Sequence, residues 1–315
     1  MEKLRTHLTA GLALVLLITT LSACATETSM HVNLDRAATA EDLAKLKPQG
    51  DGRLYVGFDR RLDPKEDVKM YVPLLDYLER TTPYRFQLRP TPKEGSVVDD
   101  LGHGTIQFAI VGTLSYLQAH SLYGVQALVR GLNVDGRDVY RAAIVTRPNS
   151  RIQSLADLRG KTFAFGASNS TQGHLIPRIL LEQAGLRLGD LAAFEYAGSH
   201  AEVANALTAG RFDAGGMQDT LAQSLANRGL LRILALSSDY PSSGIVVAPS
   251  VDPVIVDAVR RALLAFDPTG KDAAGLYHWD QTEMPRGFTG TQDRDYTELQ
   301  AWSERFGLLK GPRAP

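Results

Sequence analysis

A single cysteine, Cys24, stands in the 315 residues, so no disulfide can form within the chain and no thiolate cluster can hold a metal. Charge of one sign is also lacking: 34 lysines and arginines face 35 aspartates and glutamates, with no basic block. That balance argues against nucleic acid and against an electrostatic membrane patch as partners. A Gly-x-Gly-x-x-Gly turn after the first strand and a Walker loop are both missing, which removes the usual seats for dinucleotides and nucleoside triphosphates. None of the seven histidines falls in a His-Glu-x-x-His pattern. Gly166-Ala-Ser-Asn-Ser170 matches a Gly-x-Ser-x-Gly nucleophile elbow at its first and third positions and fails at the fifth, and no triad is assembled around it. The expectation is a protein that is not an enzyme and uses neither cofactor nor metal.

What is present begins with an export signal. Residues 1–7 carry Lys3 and Arg5, residues 8–18 are mostly apolar, and Leu21-Ser-Ala-Cys24 follows. The apolar stretch is too short to span a bilayer. Leu21-Ser-Ala-Cys24 resembles a lipobox, which implies a signal peptide over 1–23 and lipidation of Cys24. Residues 24–52 are polar without strand or long helix periodicity and read as a tether. The expected location is the periplasmic face of the bacterial cell envelope, with the membrane reached through the lipid.

From Arg53 onward strand and helix patterns alternate, which points to α/β layers with largely parallel sheets. Strands are expected over 53–58, 84–89 and 107–111, with helices over 71–80 and 113–120. The rhythm then breaks: 125–130 and 139–147 flank Asn133-Val-Asp-Gly136, a turn signal, and predict an antiparallel excursion out of the first domain. A second α/β set follows, with strands over 162–165, 194–196 and 212–217 and helices ending before Gly185 and Gly210. Segments 231–236 and 245–248 would carry the chain back. The implied organisation is a discontinuous first lobe, 53–143 plus 240–315, and a second lobe, 144–238. Crossings fall near 139–147 and 231–247, and a cleft lies between the lobes.

Two turn-plus-helix starts carry the chemistry. Gly166-Ala-Ser-Asn-Ser-Thr-Gln-Gly173 and Gly198-Ser-His200 each follow an apolar run, and a helix N-terminus leaves backbone N–H groups unpaired. Brought to one cleft, two such ends make a receptor for a small anion. Ser170 and Thr171 would donate O–H bonds, Gln172 and Gly173 backbone N–H groups, and His200 a ring N–H from the first turn. Ser199 with Glu202 fits a capping box, a structural role.

Taken in order, Tyr71-Val-Pro-Leu-Leu-Asp-Tyr-Leu78, Tyr140-Arg-Ala-Ala-Ile-Val145, the run from Ser154 to Gly166, Ser170-Thr-Gln-Gly173 with Pro177-Arg178, and Gly198-Ser-His200 resemble the phosphate/phosphite/phosphonate substrate-binding proteins of ABC transporters. The resemblance runs from about Arg53 to at least Leu264. It implies a two-lobed type II periplasmic binding protein fold, with two mixed, mainly parallel sheets flanked by helices and a small phosphorus oxyanion held in the interdomain cleft. It also implies a permease and an ATPase as partners, and a monomer. By the same resemblance Tyr71, at the start of the Pro-Leu helix, and Tyr116, after Gly112, are ligand contacts. Asp219 would face the cleft at the end of a strand, where it could accept a P–OH proton or meet an ammonium. The alternative function is a ligand-sensing lipoprotein subunit that presents its closed form to a signalling receptor.

Overall fold

The computed structural model describes residues 52–60, 64–92 and 95–309; the expected signal peptide, Cys24 and the expected tether up to residue 51 lie outside the described residues. Along the chain the strands are β1 (Arg53–Phe58), β2 (Arg85–Leu88), β3 (Phe108–Val111), β4 (Gln126–Gly131), β5 (Val139–Tyr140), β6 (Ala142–Thr146), β7 (Thr162–Phe165), β8 (Ala193–Tyr196), β9 (Ala214–Gln218), β10 (Arg232–Leu236), β11 (Tyr240–Pro241), β12 (Gly244–Val247) and β13 (Phe288–Thr289). The helices are α1 (Pro64–Thr81), α2 (Val97–Gly102), α3 (Thr113–Tyr123), α4 (Ile176–Gln183), α5 (His200–Thr208), α6 (Asp219–Asn227), α7 (Pro253–Leu264) and α8 (Thr297–Arg305).

Strand position follows from apolar content. β3, β6 and β9 are buried at every residue and sit inside their sheets, where both faces of a strand are covered. β8 is exposed along its length and lies at an edge. The first sheet has the order β13-β4-β12-β3-β1-β2, the second β10-β6-β9-β7-β8, and β5 pairs with β11 in a two-stranded ribbon between them in sequence.

Both sheets are more antiparallel than the alternation implied. β1 pairs in parallel with β2 and β3, and β7 with β8 and β9. The returning strands enter antiparallel: β12 beside β3 and β4, and β6 and β10 in the second sheet. The turn at Asn133 forms, with Asn133 Oδ1 accepting the N–H groups of Asp135 and Arg137, but it does not close a hairpin. β4 pairs with β12 and β13, whereas β5 pairs only with β11.

The first helix is the larger departure. α1 begins at Pro64 and not at Tyr71, and Pro73 lies inside it. Glu66 and Asp67 occupy its first turn, where acids favour the positive end of the helix dipole, so its true start is a charged segment without an apolar stripe. The apolar core of the first sheet includes Tyr71, Leu74 and Leu78 of α1, packed with Val259 and Leu263 of α7. A separate apolar cluster joins the two halves: Leu114 and Leu117 of α3 and Leu299 of α8 pack with Leu175, Ile176 and Ile179.

Candidate functional site

The turn after β7 is shaped by two close glycines and one proline. Gly166 N–H donates to Gly173 O at 2.8 Å, and a Cβ built on either residue would approach the other's Cα to 3.0 or 2.9 Å. In a regular helix residue 177 would donate to that carbonyl, but Pro177 has no N–H, which frees it for Gly166. Thr171–Leu175 consequently runs as a π-helical turn before α4 begins at Ile176, and Ile176 N–H reaches back to Thr171 O. Such turns widen the backbone locally and recur at functional sites.

This turn reaches across to the first sheet. Thr171 Oγ1 accepts the Leu114 N–H at 2.7 Å, serving as a cap for α3, whose own N-cap Gly112 has no side chain to offer. A Cβ at Gly112 would lie 3.0 Å from that oxygen. Asn169 Nδ2 donates to Asp59 Oδ1 at 3.0 Å and to Ser115 Oγ at 2.9 Å. Asp59 also accepts the Gly112 N–H at 2.9 Å and the Ser115 hydroxyl at 3.0 Å. Ser170 Oγ accepts the Gly173 N–H at 2.8 Å.

These contacts border a cavity of about 30 Å³. Of the residues expected from sequence, Ser170, Thr171, Gln172 and His200 line it, and the two helix starts therefore meet. Gly173 lies just behind, its missing Cβ making room within 3.2 Å of His200 Cε1. His200 is buried at the first position of α5, which Ser199 caps by accepting the Glu202 N–H at 3.1 Å. Gln172 donates its amide to Arg141 O at 2.8 Å. Ser170 and Thr171 each accept one N–H, and the Thr171 hydroxyl is also hydrogen-bonded to the Tyr140 side chain, so hydroxyl groups cluster at this wall of the cavity.

Three expected residues are placed elsewhere. Tyr71, because α1 starts earlier, sits in the second turn of that helix with 1% exposure, its ring 5.4 Å from Phe58 and 6.5 Å from Trp279. Tyr116 points under α3; its hydroxyl donates to Asp293 Oδ1 at 2.8 Å and its ring lies 4.8 Å from Tyr296. Burial and the Asp293 carboxylate keep that phenol protonated well above the ordinary tyrosine range. Asp219 lies on an adjoining cavity of about 70 Å³ with Thr220, its carboxylate 3.5 Å from Arg141 Nε. Burial raises its pKa, against the opposing pull of Arg141.

Of the other lining residues, Tyr140 and Asn169 fall within stretches singled out in the sequence, whereas Asp59, Arg60, Ser243 and Glu283 carried no local signal. Asp59, Arg60, Tyr140, Asn169, Ser243 and Glu283 come from the end of β1, the β5 ribbon, the β7 turn, the entry to β12 and the C-terminal segment. Tyr140 is buried beneath the cavity, its hydroxyl 3.3 Å from Thr113 Oγ1, and desolvation raises its pKa so that it stays neutral. Tyr140, Gln172 and Glu283 also line the adjoining cavity and form the wall between the two. Among the described residues no group of three or more His, Cys, Asp or Glu side chains is arranged to hold a metal ion.

Two mixed α/β sheets joined by paired crossings, with a polar cavity where they meet, define a two-lobed type II periplasmic binding protein. The chain belongs to the family described as ABC transporter, phosphonate, periplasmic substrate-binding protein, whose model matches residues 56–296. The family is a binding component and not an enzyme. Among curated proteins, the chain is 25% identical over 171 residues to the probable ABC transporter phosphite binding protein PhnD1 of Prochlorococcus marinus, a match covering 51% of this chain and 50% of that protein. It is 26% identical over 207 residues to the phosphate-import protein PhnD of Mycolicibacterium smegmatis, covering 60% and 64%. The matches thus span half to just under two thirds of these relatives' lengths. Among solved structures, that of Prochlorococcus marinus PhnD1 in complex with methylphosphonate superposes with a TM-score of 0.73 at 17% identity, covering 82% of this chain and 99% of that one.

Proposed function

We propose that the protein captures a small phosphorus oxyanion in the cavity between its lobes and delivers it to a membrane permease driven by a separate ATPase. The observation that carries this reading is the meeting of Ser170, Thr171 and His200, from two helix starts of the second sheet, at one cavity against the first sheet. Hydroxyl donors at helix N-termini favour a compact anion without any metal. The relatives are named for phosphite and phosphate, and the solved neighbour holds methylphosphonate, all compact phosphorus oxyanions. Residues 53–143 with 240–315 would move as one lobe and 144–238 as the other, hinged at the β5–β11 ribbon.

In this reading the chain is a monomer held at the periplasmic face by a lipid on Cys24. Titration calorimetry against phosphate, phosphite, methylphosphonate and sulfate tests the ligand class: a folded protein that binds none of the three phosphorus oxyanions, or binds sulfate best, defeats it. Anchoring is tested separately, since Cys24→Ser should leave an unprocessed precursor without lipid. Normal processing and membrane retention of that variant would remove the anchor from the proposal.

A further inference from the structure

Two side chains that reach the cavity from the first sheet are not used by the fold. Ser243, immediately before β12, is 1% exposed, and its Oγ has no hydrogen-bond partner among the described residues. Its neighbour Ser242 is a structural serine, donating to Gly131 O at 2.6 Å, while the Ser243 carbonyl accepts the Gly131 N–H at 2.8 Å. The backbone of Ser243 is therefore pinned, and its hydroxyl is left over on the cavity lining. A buried hydroxyl without a partner destabilises the protein that carries it, so such a group is expected where a ligand completes it.

Arg60 is the second. The chain leaving β1 is fixed at Asp59, whose N–H donates to Ile110 O at 3.0 Å and whose carboxylate accepts Gly112 N–H, the Ser115 hydroxyl and the Asn169 amide. Arg60 follows directly and is exposed while bordering the cavity, which puts it at the rim. It makes no hydrogen bond or ion pair with another described residue. Among the described residues it is also the single arginine or lysine on the lining, beside two carboxylates, Asp59 and Glu283, with His200 and Tyr140 the remaining titratable groups. The arginines of the adjoining cavity are already committed, Arg137 to Asp239 at 2.7 Å and Arg141 beside Asp219 at 3.5 Å. An anion entering between two carboxylates is repelled by both, and Arg60 is the fixed positive charge at hand to offset them.

Resting on the phosphorus-oxyanion reading above, we infer that the first sheet grips the anion through Ser243 and Arg60: the serine hydroxyl donates to a ligand oxygen and the guanidinium pairs with the ligand charge. Tyr71 and Tyr116, the contacts expected from this side, are committed elsewhere, to the Phe58 and Trp279 rings and to Asp293. The anion is then held from both sheets, by Ser170, Thr171 and His200 of the second and by Ser243 and Arg60 of the first.

Calorimetry with phosphate, phosphite and methylphosphonate, at low and high sodium chloride, tests the inference on wild type, Ser243→Ala, Arg60→Gln and Arg60→Lys. Ser243→Ala should bind the best of these ligands about tenfold more weakly, the worth of one hydrogen bond to a charged group. Its ligand-free form should melt no lower than wild type, because it removes a hydroxyl that the empty fold leaves unpaired. Arg60→Gln should lose about tenfold or more, and Arg60→Lys less, since lysine keeps the charge without the planar fork. Added salt should weaken wild type more than Arg60→Gln, because ions screen the pairing that the variant lacks. The ligand-free Arg60 variants should melt with wild type, as substitutions of an exposed side chain do. Affinity within about twofold of wild type in Ser243→Ala or Arg60→Gln overturns the inference, being less than one such bond is worth. So does a lowered melting temperature of ligand-free Ser243→Ala, or the same salt dependence in Arg60→Gln as in wild type. Failure of the folded wild type to bind any of the three ligands overturns instead the reading on which it rests.

Discussion

At Thr171 one oxygen links two parts of the molecule. Its Oγ1 accepts the Leu114 N–H at 2.7 Å, its hydroxyl also meets Tyr140, and the residue lines the cavity, where an anion would compete for its proton. Thr171→Val keeps the branched shape and deletes that oxygen, so binding of the best oxyanion should weaken by about 1.5–3 kcal/mol while the fold survives. Ser199→Ala supplies the contrast: the serine caps α5 without lining the cavity, so stability should fall by about 1 kcal/mol with little change in affinity. Unchanged affinity in Thr171→Val, measured by calorimetry, would reduce the Ser170–Thr171 turn to a structural cap. Ser170, Thr171, Gln172 and His200 could be brought to one place from sequence because hydroxyls and glycines at helix starts are a local pattern. Ser243 and Glu283 could not, since they reach the cavity from positions far along the chain and nothing beside them marks it. Tyr71 was misplaced for a different reason: its surroundings look like a helix start, whereas the acidic first turn of α1 lies seven residues earlier.

The π-helical turn Thr171–Leu175 contains a buried histidine that holds it to the neighbouring strand. His174 Nδ1 lies 2.7 Å from Ser168 O and Nε2 lies 3.1 Å from the Tyr196 hydroxyl, so the neutral ring donates at one nitrogen and accepts at the other. Burial lowers its pKa from 6.5 to about 4, helped by Arg178 and opposed by the Ser168 carbonyl. The unfolded chain thus takes up a proton at higher pH than the folded one. Stability from this residue is fully present above about pH 6.5, falls through the window down to about pH 4, and the loss totals about 3 kcal/mol. Denaturant titrations across that window should show this slope in wild type and a shallower one in His174→Asn, and equal slopes would dismiss the assignment. The π turn itself was only half legible. Pro177 signals an interrupted helix start, but which carbonyl it releases, and that Gly166 takes it, depends on contacts between chain segments.

At the scale of the described chain, contacts run from one sheet to the other. The order of α/β units and the glycines that end helices could be read from the chain, because each is written in a short stretch of residues. The share of antiparallel pairing could not, since β6, β10 and β12 choose partners far from themselves in sequence. Asn169 bridges the two sheets through Asp59 and Ser115. Removing it in Asn169→Ala should enlarge the scattering radius of the ligand-free protein, and saturating ligand should bring variant and wild type back together. Equal ligand-free radii would show that these bonds do not hold the cleft. Ligand should also raise the melting temperature, by the equivalent of about 2.7 kcal/mol at a hundredfold excess over Kd. The cavity of about 30 Å³ then has a kinetic consequence. Hydrogen bonds from Asn169 to Asp59 and Ser115 tie its lining together across the two sheets, so a phosphorus oxyanion would enter by parting them. Capture is therefore gated: at rising ligand concentration the observed association rate should level off at the rate of opening, and loosening the gate at Asn169 should raise that plateau.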